Sequence, residues 1–164
     1  MSGAQALVSG SAELPPIRYS TYIAAPPGRV WDTLTTAAGW DAWFTRGAEV
    51  DARPGGHIAF RWRSFGAERY TGQDGGPVLE AVPPRRFVFQ WTPGDTTTTV
   101  AFELSPRGTG TLVTVKEWGH TASAADLEAL VQCAAGWGEA LTLLKIYLEQ
   151  GITYGDVPAA AAEM

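Results

Sequence analysis

The stretch from Ser123 to Gly151 constrains the fold more than any other part of the chain. Leu127, Leu130, Val131, Ala134, Trp137, Leu141, Leu144 and Leu148 recur at steps of three and four, the spacing of one helical face. Ser123 followed by Asp126 has the form of a capping box, and Gly151 suits a helix C-cap. At about 1.5 Å per residue such a helix runs for roughly 40 Å, too long and too apolar to stand alone. It must lie on a partner surface, and the chain before it supplies about six short β-type segments for one. Gly136 and Gly138 flank Trp137 near the middle, and each mid-helix glycine costs about 1 kcal/mol relative to alanine. Either the helix packs tightly on the sheet there, or the missing side chains leave room for a ligand with Trp137 as one wall.

Residues 1–16 are small and polar, end in Pro15-Pro16, and are expected to form a flexible leader. Ile17, Tyr19, Thr21 and Ile23 alternate with polar residues and predict a first strand. Arg29 to Thr36 reads as a short helix behind Pro26-Pro27. Ala37 to Phe44 reads as a second one, broken at Gly39, with Trp40, Trp43 and Phe44 packed together.

From there the period changes to two. Ala48 to Asp51 is a short strand, and His57 to Phe65 is a longer one with Ile58, Phe60 and Trp62 on one face. Glu68 to Gln73 and Pro77 to Val82 flank a predicted break at Asp74-Gly75-Gly76. Phe87, Phe89 and Trp91 share a face, as do Val100, Phe102 and Leu104. The last strand, Leu112 to Trp118, sets Val113, Val115 and Glu117 on one side. One domain over residues 17–155 and a flexible Ala/Pro tail over 156–164 are expected. Short turns between strands imply an antiparallel meander. A twisted sheet wrapped on one helix predicts a deep apolar cavity between the layers.

Composition excludes several classes. No run of about 18 apolar residues is present, so no membrane span is expected. A net charge of −5 argues against a nucleic-acid partner. A single cysteine, Cys133, precludes an intramolecular disulfide, and with no secretory signal pattern the expected compartment is the cytoplasm.

Ala25-Pro26-Pro27-Gly28-Arg29-Val30-Trp31, Trp40 to Phe44, Arg53-Pro54-Gly55-Gly56 and Pro83 to Trp91 come in a fixed order with Gly110 to Val115 and Gly136-Trp137. In that order and spacing the chain resembles the helix-grip superfamily of START domains, pollen allergens and polyketide cyclases. Within it the chain is most similar to the branch named after the activator of the ninety-kilodalton heat-shock protein ATPase. The likeness runs from about Ile17 to Gly151. It implies an α+β helix-grip fold, in which a curved antiparallel sheet of about six to seven strands wraps one long C-terminal helix and two short helices follow the first strand. It does not imply one activity, because members bind lipids or aromatics, cyclise polyketides or act as co-chaperones.

The chain lacks nucleophile-elbow, phosphate-loop, dinucleotide-binding and paired-cysteine zinc signatures, and no cofactor is expected. No metal site is expected either. With His57, His120 and Cys133 as the only imidazoles and thiol, one would need carboxylates from three unrelated places. The candidate catalytic groups are Glu117, Tyr70 and Glu80. Glu117 shares the inward face of its strand and, by the resemblance, occupies a position where this branch places a histidine or acid. Alternatively the strand end twists outward and Glu117 pairs with an arginine. Glu80 shares a face with Val78 unless Leu79 and Ala81 form the inward pair. Tyr70 either offers its hydroxyl to the cavity or extends it to solvent.

The expected cavity lining is Phe60, Trp62, Tyr70, Phe89, Trp91, Phe102, Val115, Glu117, Cys133, Trp137 and Leu141. The function this favours is non-catalytic binding of a small apolar or aromatic molecule, with self-association as a homodimer left open. The alternatives are a cyclase- or hydrolase-type enzyme using Glu117 as acid–base, and a co-chaperone. The last is disfavoured by the lack of a second domain.

Overall fold

A computed structural model describes residues 14–154. The elements are β1 Ile17–Ile23, α1 Pro27–Leu34, α2 Ala37–Trp43, β2 Glu49–Val50, β3 His57–Phe65, β4 Tyr70–Val82, β5 Arg86–Trp91, β6 Thr98–Arg107, β7 Gly110–Trp118 and α3 Ala124–Gln150. Seven antiparallel strands form one sheet in the order β1-β7-β6-β5-β4-β3-β2. This is the helix-grip α+β architecture, with α3 over the concave face and packed along β1. The leader and tail fall largely outside the described residues.

Alternation builds the core. Ile58, Phe60 and Trp62 on β3, Phe87, Phe89 and Trp91 on β5, Val100, Phe102 and Leu104 on β6, and Val113 and Val115 on β7 are all buried. From α3 come Trp137, Ala140, Leu141, Leu144 and Leu148.

Four expectations need correction. The stretch Asp74-Gly75-Gly76 does not break a strand, because β4 runs through it. The strand pairs with β3 through Pro77 and with β5 from Val78 onward. A Cβ at Gly75 or Gly76 would meet the backbone of Ile58 or Gln90, so these glycines permit close strand approach. Gly39 likewise does not break α2; a Cβ there would meet the Thr33 backbone, where the two short helices touch.

The third correction is to the N-terminal half of α3, where Leu127 and Val131 are exposed while Asp126 and Ala129 are buried. Ser123 caps the helix by accepting from Asp126 N–H at 3.1 Å, but the second half of a capping box does not form. The Asp126 carboxylate turns instead to the backbone N–H groups of Asp95, Thr96 and Thr121 and to the Thr121 hydroxyl. These bonds, the Thr121 hydroxyl foremost, hold Asp126 well below the usual carboxylate range.

Finally, the space between sheet and helix is largely filled. Trp40, Trp43 and Phe44 on and beside α2 reach under α3, with Trp40 4.8 Å from Phe60 and Phe44 6.1 Å from Trp137 between ring centres. The expected deep cavity is replaced by aromatic packing with a smaller opening at one end.

Candidate functional site

That opening is a pocket of about 170 Å³, lined by Phe44, Trp62, Phe65, Tyr70, Trp91, Gln132, Cys133, Gly136 and Trp137. Its walls come from Trp62 and Phe65 of β3, Tyr70 at the start of β4, Trp91 at the end of β5 and Phe44 at the end of α2, and from one face of α3, where Cys133, Gly136 and Trp137 are spaced by three and four. Trp91 and Trp137 lie 5.3 Å apart between ring centres, and Tyr70 packs at 5.8 Å on Trp62 at the rim, itself 52% exposed by residue. A Cβ built on Gly136 would meet nothing within 4 Å among the described residues, so no packed neighbour there demands this glycine. Two larger surface depressions, of about 350 and 400 Å³, lie elsewhere: one beside His57, Arg61 and Asp74, the other between Pro27, Pro84 and Ser105.

Behind the pocket wall sits a buried carboxylate. Register places Glu117 opposite Val100, and Thr98 lies two residues along β6 on the same face, paired with Trp91. The Trp91 indole N–H and the Thr98 hydroxyl both donate to Glu117 Oε2 at 2.7 Å. The Trp137 indole N–H donates to Oε1 at 2.8 Å. Glu117 is 0% exposed, so these donors replace the water that an isolated buried carboxylate would lack. Gly119 takes φ 109°, a left-handed conformation that glycine adopts freely, and the chain folds back after β7. The fold-back buries His120 with its Nε2 3.6 Å from Glu117 Oε2.

Of the residues expected to line a cavity, Trp62, Tyr70, Trp91, Cys133 and Trp137 lie together on the pocket wall. Phe60, Phe89, Phe102, Val115 and Leu141 are enclosed in the core behind it. Glu117 points inward as alternation suggested, but it pairs with neither an arginine nor Tyr70. Glu80 belongs elsewhere: a β-bulge between Val78 and Glu80 turns it to the outer face, where it meets Arg86 at 2.9 Å. The expected dispersion of metal-binding groups is also corrected, because Glu117, His120 and Cys133 converge, with ligand atoms all within 4.8 Å. Sequence periodicity missed His120, which lies just past its strand. It also missed Phe44, Phe65 and Gln132 as wall residues.

A family model described as Activator of Hsp90 ATPase homolog 1-like protein matches residues 24–149. The crystal structure of CalU16 from Micromonospora echinospora is 28% identical, covers 83% of this chain and 77% of its own, and superposes with a TM-score of 0.66. A protein of Rhodobacter sphaeroides is 28% identical over 85% of this chain and 94% of its own, with a TM-score of 0.68. The solution structure of the Aha1 dimer from Colwellia psychrerythraea, 24% identical over 84% of this chain and 98% of its own, shares the fold with a TM-score of 0.68. No curated protein matches the chain.

Proposed function

The chain belongs to the Activator of Hsp90 ATPase homolog 1-like family, and from that premise we propose that it binds a small apolar or aromatic molecule in the pocket between β3, β5 and α3, without catalysis. The observation that carries this reading is the wall itself: Phe44, Trp62, Phe65, Tyr70, Trp91 and Trp137 surround the space that Gly136 leaves open. A cavity of about 150 Å³ takes benzene. A volume of about 170 Å³ therefore suits one aromatic ring, with the rest of a larger molecule extending past Tyr70.

The catalytic alternative draws on Glu117 with Tyr70 or Glu80. The bonds of Glu117 to Trp91, Thr98 and Trp137, and the outward turn of Glu80, favour binding over acid–base work. Co-chaperone activity has the family name in its favour and no feature of the pocket. Self-association is tested by the mass in solution, and the exposed apolar pair Leu127 and Val131 on α3 supports it. We place the protein in the cytoplasm, in keeping with its one unpaired thiol, Cys133.

The test is a titration with 2-naphthol followed by tryptophan emission. Saturable quenching that is lost in Gly136→Leu is the expected result. Absence of saturable quenching in the folded protein contradicts the reading.

A further inference from the structure

We propose that Glu117, His120 and Cys133 form a binding site for a borderline-soft divalent metal ion, with zinc the best match. Their donor set is a carboxylate oxygen, an imidazole nitrogen and a thiol sulfur, the three ligand types that zinc accepts. Three different elements bring them together: the end of β7, the turn after it, and the middle of α3.

The observation that points to a ligand is His120. Its side chain is 2% exposed, and its Nε2 is buried with no hydrogen-bond partner among the described residues. A buried imidazole nitrogen without a partner carries the full desolvation penalty, which a metal bond would remove. The atom faces the cluster, 3.6 Å from Glu117 Oε2. Two ligands of one tetrahedral ion, with bonds of about 2.0–2.3 Å, lie roughly 3.3–3.8 Å apart. The three ligand atoms lie within 4.8 Å of one another, so closure needs a shift of about 1 Å, within reach of a side-chain rotation at Cys133.

Trp91 and Thr98 fill both acceptor positions of Glu117 Oε2 and Trp137 fills one of Oε1, so the oxygen open to an ion is Oε1, and the three donors fix the orientation of the carboxylate as supporting groups around metal ligands do. Binding displaces the Cys133 thiol proton to solvent. Thiolate and carboxylate then balance the two positive charges of the ion. Three protein ligands leave a fourth position open, and one of the three, Cys133, lies on the pocket wall.

The site is tested with metal ions alone, on chelator-treated full-length protein. Calorimetry with Zn²⁺ should show one ion per chain and a released proton. Co²⁺ should give a thiolate-to-metal charge-transfer band together with tetrahedral ligand-field bands. Cys133→Ser should abolish the charge-transfer band. Cys133→Ser and His120→Gln, each shown to be folded by circular dichroism, should weaken Zn²⁺ by about a hundredfold or more, beyond the 10–100-fold typical of losing a group that only supports a ligand. No stoichiometric uptake by the parent protein, a cobalt spectrum without a sulfur band, or parent-like affinity in both variants overturns the proposal. The naphthol titration is run on metal-free protein, so failure of either reading leaves the other standing.

Discussion

Trp137 on α3 donates its indole N–H to Glu117 on β7 at 2.8 Å, and both side chains are buried. This bond ties the long helix to the sheet at the pocket's inner wall, and Trp91 reaches the same carboxylate from β5. Glu117 therefore sets the orientation of two of the pocket's rings.

Glu117→Gln should weaken this clamp. The amide offers one acceptor oxygen where the carboxylate offers two, and its NH2 faces an indole or hydroxyl donor. Hydrogen bonds to charged groups contribute about 1.5–3 kcal/mol each, so the loss should be on the order of 3 kcal/mol. For a chain of this size that lowers Tm by roughly 6–12 °C. Urea unfolding measures it, and an unchanged midpoint contradicts the clamp.

Gly136→Leu should abolish probe binding while leaving the fold intact. A Cβ at Gly136 meets nothing within 4 Å, so the new side chain enters ligand space without overpacking the core. Helix propensity improves by up to about 0.8 kcal/mol, and Tm should hold or rise. A fall in Tm with binding preserved would assign the glycine to packing instead.

How much of this was legible in the sequence depended on whether the determinant was local. The ends of α3 were, because Ser123 and Gly151 act through their own backbone neighbours. The inward direction of Glu117 was, because it follows from alternation with Val113 and Val115. The inward turn of Asp126 was not: hydropathy assigns a carboxylate to solvent, and only the amides of Asp95, Thr96 and Thr121 reverse that. Gly39, Gly75 and Gly76 read as breakers because the reason for each, a neighbouring backbone, is distant in sequence or belongs to another element. The filling of the expected cavity by Trp40, Trp43 and Phe44 is tertiary in the same sense.

Asp126→Asn should reduce stability at neutral pH, and the deficit should narrow in acid. The folded-state pKa of Asp126 is lowered, chiefly by the Thr121 hydroxyl. Its contribution is therefore complete above the unfolded value of about 3.9 and is lost as the pH falls below it. Denaturant midpoints of both proteins between neutral pH and about pH 2 measure the difference. A gap independent of pH contradicts the assignment.

Cys133 should alkylate slowly in the folded, metal-free protein. Burial and the Glu117 charge raise its pKa, so little thiolate exists near pH 8, and the rate should climb only in more alkaline solution. Iodoacetamide kinetics compared with the unfolded chain check this; equal rates at pH 8 would place the thiol in a different environment.

The central claim is that the aromatic pocket receives a ligand. Its most direct test is a titration of the nitrogen-15-labelled protein with 2-naphthol, read at the indole N–H signals of the seven tryptophans. Saturable shifts should appear at Trp62, Trp91 and Trp137, which line the pocket. Trp31, packed on Phe87, and Trp118, on the exposed side of β7, should stay in place. Absence of saturable shifts at the three pocket indoles, or the same shifts in Gly136→Leu, would contradict the claim.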